Sequence, residues 1–119
     1  MNVLNARLHG FLDLVTVVVF LLAPFFFGFG GYVAAVAWGL AAVHLLVTLF
    51  TRYPLGLVKL IPFPIHGLVE LLVGVVLVLA MPRLLGAGPG SPARTFFVGA
   101  GVVILAVWAL TRYREPSGS

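Results

Sequence analysis

Residues 8–27 read LHGFLDLVTVVVFLLAPFFF, and within that run only His9, Asp13 and Thr16 carry polar side chains. An α-helix rises ~1.5 Å per residue, so ~20 such residues cross a ~30 Å hydrocarbon layer. In water the β-branched stretch Val15-Thr16-Val17-Val18-Val19 would favour a strand. In lipid each backbone amide needs a partner, and a single continuous run supplies those partners internally only as a helix. Barrel strands would instead appear as ~10-residue segments of alternating polarity. The stretch therefore predicts a membrane-spanning helix, with Asn5 placed to cap its start.

Three further runs have the same character. The second extends from Tyr32 to Phe50, between the turn Gly28-Phe29-Gly30-Gly31 and Thr51-Arg52-Tyr53-Pro54. The third runs from Ile65 to Met81, with Pro64 suited to a first helical position and Pro82 closing it. The fourth occupies Thr95 to Leu110 and stops at Thr111-Arg112-Tyr113-Arg114. Of the 119 residues, 62% are apolar and 8% charged, whereas the surface of a soluble domain carries roughly 25–35% charged side chains. High hydropathy with so little charge excludes intrinsic disorder as well. Four spans use about 80 residues, which leaves tails and short loops and no space for a soluble catalytic domain. The expected architecture is an all-α membrane protein: residues 1–119 form one transmembrane domain, an up-down-up-down four-helix bundle.

The seven basic residues stand singly at the ends of the apolar runs, a membrane-topology pattern and not a nucleic-acid surface. With both termini cytoplasmic, Arg7, Arg52, Lys59, Arg112 and Arg114 lie inside and Arg83 and Arg94 outside, which satisfies the positive-inside rule for a cytoplasmic-membrane protein. Ala35-Val36-Ala37 could be read as a signal-peptidase site; Asp13 and the duplication described next favour retention of the first span. The link 54–64 is apolar apart from Lys59, as expected of a segment lying in the interface with its lysine reaching the headgroups. Small residues four apart, Ala35 with Gly39 and Ala37 with Ala41, and also Gly99 and Gly101, suit close helix approach. The absence of cysteine removes disulfides and thiolate metal ligands together.

Leu8-His9-Gly10-Phe11-Leu12-Asp13-Leu14 recurs as Ile65-His66-Gly67-Leu68-Val69-Glu70-Leu71, at an offset of 57. After a one-residue shift the correspondence continues, Pro24 with Pro82 and Gly28 with Gly86, and Thr51-Arg52-Tyr53 answers Thr111-Arg112-Tyr113. The chain thus reads as two tandem two-helix repeats, about 8–53 and 65–113. An even number of spans per repeat gives the halves parallel topology about an axis along the membrane normal. The His-Gly pairs with an acid four residues after each His, the Pro24-Phe25 and Gly28-Phe29 signals, and the link Thr51-Arg52-Tyr53-Pro54-Leu55-Gly56-Leu57-Val58-Lys59-Leu60-Ile61-Pro62 resemble the bacterial SPW-repeat family of small four-helix membrane proteins. The naming Ser-Pro-Trp is replaced here by Ala23-Pro24-Phe25 and Met81-Pro82-Arg83. The resemblance implies a four-helix membrane bundle and no assigned activity.

His9, Asp13, His44, His66 and Glu70 are the ionisable residues inside the runs. The i, i+4 spacing puts His9 and Asp13 on one helix face and His66 with Glu70 on another; if both faces meet the axis, two imidazoles and two carboxylates converge. Counting helical rise places His44 ~10 Å deeper than that level. Three readings follow. The first is a locally satisfied polar anchor in a non-enzymatic structural, assembly or lipid- and partner-interaction module, whose partners are membrane lipids and a second copy or another membrane protein. The second is a proton or small-cation pathway. The third is a metal or haem site with His9, Asp13, His66 and Glu70 as ligands. No nucleophile–base pair or phosphate-binding glycine loop occurs, so neither enzymatic activity nor a cofactor is expected from the first reading, and no nucleic acid.

Overall fold

The computed structural model describes residues 4–51 and 56–111. Four helices carry it: α1 (Ala6–Phe27), α2 (Gly31–Leu49), α3 (Phe63–Leu84) and α4 (Pro92–Leu110), each long and apolar enough to cross a membrane. Among the described residues there is no β-strand, only two isolated bridges, Leu4 with Thr111 and Thr51 with Ile61. The expected all-α, four-span class is what forms.

Capping fixes the helix starts. The Asn5 side chain accepts from the Leu8 amide at 2.9 Å, opening α1, and Ser91 accepts from the Arg94 amide at 3.2 Å, opening α4, each satisfying an amide that has no intrahelical partner. Consequently α4 begins at Pro92, three residues before the expected Thr95; α3 begins at Phe63, with the Pro62 carbonyl accepting from the His66 amide at 3.1 Å. Gly28 ends α1 in the left-handed conformation (φ 70°), which a residue without Cβ adopts at no steric cost.

Pro82 does not close the third helix. Residues Val76–Ala80 form a π turn, and Met81–Leu84 continues as α-helix beyond it. The Met81 amide bonds to the Val76 carbonyl, five residues back, and Pro82 is the second residue of the following α-segment, in the first turn, where an absent N–H leaves no intrahelical bond unmade. A π turn holds one more residue than the α turn it replaces. The sequence correspondence between α1 and α3 changes its offset immediately after this segment, at Met81, Ala23 matching Ala80 and Pro24 matching Pro82.

α1 packs along α2 and α3 along α4, giving two helical hairpins that meet around a core of Val17, Phe20, Ala37, Ala41, Leu77, Phe96, Phe97 and Ile104. The α3–α4 crossing is made by Gly74 and Gly101: a Cβ on Gly101 would lie 2.7 Å from Val78 Cγ2 and 2.9 Å from Leu77 Cβ. Gly99, expected to do the same, faces open space, and Ala35 and Gly39 are exposed while Ala37 and Ala41 are buried. Only half of the small-residue positions therefore serve helix contact, because residues two apart on a helix, such as 35 and 37 or 99 and 101, point to different faces.

After α2 the chain folds back beneath it. The amides of Leu57 and Val58 reach the Leu49 carbonyl at 2.8 and 3.0 Å, and Leu60 and Ile61 reach that of Phe50, so the terminal carbonyls of α2 are bonded. Leu57 and Leu60 remain 77% and 65% exposed. At the same end, the Leu4 amide bonds to the Leu110 carbonyl, tying the chain before α1 to the end of α4. Arg52, Tyr53, Pro54, Leu55 and the Arg112-Tyr113-Arg114 segment, on which parts of the link and orientation readings fall, lie outside the described residues.

Candidate functional site: a buried histidine–carboxylate cluster

The helix starts of α1 and α3 and the helix ends of α2 and α4 gather at one end of the bundle. There the i, i+4 pairs face each other. His9 Nε2 lies 2.7 Å from Glu70 Oε2 and 3.3 Å from Asp13 Oδ1; His66 Nε2 lies 3.1 Å from Asp13 Oδ2 and 3.6 Å from Glu70 Oε2. The shorter contact of each histidine is thus with the acid of the opposite hairpin. All four residues are buried, His9 at 0% and Asp13 at 2% exposure.

The other ring nitrogens are held in the same crossed way. His9 Nδ1 is 2.8 Å from Thr111 Oγ1, and His66 Nδ1 is 2.8 Å from Thr51 Oγ1. Each threonine hydroxyl already donates to a carbonyl one turn earlier, Thr111 to Val107 and Thr51 to Val47, both at 2.6 Å. A hydroxyl has one proton, so each threonine must accept from its histidine, and Nδ1 is the nitrogen that carries hydrogen. This fixes the tautomer of both rings and turns Nε2 toward the carboxylates.

His44 also joins the cluster. Its Nε2 lies 3.3 Å from Asp13 Oδ1, nearer than its position along α2 suggests. Asp13 stands one turn, ~6 Å, deeper than His9, and the remaining gap falls within the reach of an imidazole. Its side chain is 14% exposed and borders a cavity of about 30 Å³ between α2 and α3, with His66 and Glu70 on the same wall. Ile104 stands at the corresponding place on α4, seven residues before Thr111 as His44 is seven before Thr51. The cluster is therefore not fully symmetric.

Phe63 closes it from the chain-end side. Fully buried, its ring meets His9 edge-on at 5.5 Å and lies 5.9 Å from His66; the two imidazoles are themselves edge-to-face at 5.4 Å. On the other side the bundle is filled by Phe20, Leu77, Phe97 and Ile104, each no more than 3% exposed.

Thr51, Thr111 and Phe63 are the site residues that sequence reasoning missed. The recurrence of Thr-Arg-Tyr at both helix ends was the available signal for the threonines; the spacing of Phe63 relative to His66 carried none. No known protein family, curated protein or solved structure matches the chain, and the cluster must be interpreted on its own chemistry.

Proposed function

We propose that this is a small, non-enzymatic, multi-pass membrane protein whose two helical hairpins are locked together by cationic charge held in the cluster of His9, Asp13, His66 and Glu70. The observation carrying this reading is the fixed tautomer. With Nδ1 hydrogen committed to Thr111 and Thr51, each neutral ring would present an Nε2 lone pair to carboxylate oxygens. Lone pairs facing lone pairs in a medium of low dielectric repel. Two units of positive charge, as protons or as an ion, turn those contacts into attraction and balance the two carboxylates.

Retention is better supported than conduction. A pathway needs polar groups through the bilayer, and beyond the cluster the interior is Phe20, Leu77, Phe97 and Ile104. The role is that of a structural or assembly module acting with lipids, a second copy or another membrane protein. We place it in the cytoplasmic membrane with both termini inside. The basic residues Arg7 and Lys59 at the cluster end, with Arg52, Arg112 and Arg114 in sequence, against Arg83 and Arg94, support that orientation. The crossed His–acid and His–Thr contacts support reading the hairpins as two copies of one repeated unit.

Nitrogen NMR of histidine-labelled protein in micelles tests the site. The expected Nε2 signals of His9 and His66 are those of a nitrogen bonded to a proton or a metal. Bare ring nitrogens beside ionised carboxylates would sink the reading. Ion flux in proteoliposomes that drops to background in Asp13→Asn would replace retention with conduction.

A further inference from the structure

We infer that the cation is one divalent transition-metal ion of the zinc class, bound by His9 Nε2, His66 Nε2 and one carboxylate oxygen each of Asp13 and Glu70. This deepens the cation-site reading and rests on it. Three features of the cluster are those of a metal site.

The first is the shape of the donor set. Zinc bonds to imidazole nitrogen and carboxylate oxygen are ~2.0–2.2 Å, so a tetrahedron of such donors has edges of about 3.3–3.6 Å. His9 Nε2 and His66 Nε2 lie 2.7 and 3.6 Å from the same Glu70 oxygen, Oε2, and 3.3 and 3.1 Å from Asp13 Oδ1 and Oδ2 respectively, and one donor atom from each of the four residues falls within 4.8 Å of the others. Each histidine contacts both acids. Two proton-mediated bonds need only two separate pairs; here each nitrogen also lies within 3.6 Å of the second acid, as a common centre requires.

The second is the surrounding shell. Metal-ligating histidines donate their other ring N–H to a fixed acceptor, which sets the tautomer and aims the lone pair at the ion. Thr111 and Thr51 do this for His9 and His66, each with its own hydroxyl proton locked to the carbonyl of Val107 or Val47. His44 Nε2, at 3.3 Å from Asp13 Oδ1, orients the acid.

The third is charge and donor type. One dication against two carboxylates is neutral, which suits a buried site. Two imidazoles with two carboxylates match a borderline metal such as Zn²⁺, Fe²⁺ or Co²⁺, whereas Mg²⁺ and Ca²⁺ require six or more oxygen donors.

The test uses the full chain, purified in detergent, stripped with chelator and titrated with Zn²⁺ and Co²⁺. The expected result is one ion per chain, an intense visible spectrum of tetrahedral Co²⁺, displacement by Zn²⁺ and none by a large excess of Mg²⁺. His66→Asn should abolish the spectrum. Thr51→Val and Thr111→Val, which keep side-chain shape and leave the four ligands in place, should each weaken binding by 10–100-fold. Substoichiometric or Mg²⁺-displaceable binding, a spectrum unchanged by His66→Asn, or threonine variants with wild-type affinity would each overturn the metal. If no metal binds while the histidine nitrogens are protonated at Nε2, the metal falls and the cation-site reading stands. If those nitrogens are bare, both fall.

Discussion

Replacing Asp13 by alanine removes the one side chain that touches all three histidines, at 3.1 Å from His66 and 3.3 Å from both His9 and His44. Burial decides the size of the effect. At 2% exposure bulk water does not replace the lost oxygens, so three imidazoles are left around a single remaining acid. Breaking a buried ionic pair from one side costs about 3–5 kcal/mol. Against a total stability of roughly 5–15 kcal/mol, that shifts the folded-to-unfolded ratio by more than about 100-fold, since each ~1.4 kcal/mol is tenfold. SDS titration of the protein in mixed micelles, read by the fluorescence of Trp38 and Trp108, measures it. The change should couple to His44→Leu by about 0.5–3 kcal/mol, because the residues touch, and add independently to Gly101→Ala, whose contacts are with Leu77, Val78 and Gly74. A loss below about 1 kcal/mol for Asp13→Ala, of the size of an exposed pair, would show that the cluster is solvated and refute the reasoning.

Other outcomes follow from the helix contacts. Gly101→Ala should destabilise by about 1–3 kcal/mol through overpacking at the α3–α4 crossing, while Gly99→Ala, with nothing within 4 Å, should be neutral or stabilising by up to about 1 kcal/mol; equal effects in the same SDS titration would refute the close approach. Deleting Val78 from the π turn should leave a folded protein, because the wide turn relaxes to α and both flanking faces keep their direction; deleting Val18 from α1 rotates the downstream helix by about 100° and should abolish folding, as judged by circular dichroism and Trp fluorescence. Asn5→Ala should cost about 0.5–2 kcal/mol by removing the cap on Leu8, seen as faster hydrogen exchange in the first turn of α1.

The spans were legible because length and apolarity alone specify them. Hydropathy marks where a helix can lie in lipid and leaves its ends to individual bonds, which is why Ser91 and Pro62 moved two helix starts. The π turn was present in the sequence as a one-residue change of offset before Pro82, but a proline by itself reads as a stop. For the cluster, i, i+4 spacing places each pair on one face; it cannot specify that the faces meet, or that each histidine binds the acid and the threonine of the other hairpin. For His44, rise along a helix locates the Cα atom and cannot show that Asp13 and an imidazole close the remaining gap with their side chains. The exposed Gly99 and Gly39 show that small residues mark close approach only when the face they occupy is known.

The crossed pattern of the cluster also has a consequence for how the protein is made. A first hairpin entering the bilayer brings His9, Asp13, His44 and Thr51, while the partners Glu70, His66 and Thr111 belong to chain that is synthesised later. Until the second hairpin arrives, those polar groups have only each other, the headgroups and water. The site therefore comes into being only once the second hairpin is in place, and its completion marks a chain whose four segments have all been inserted.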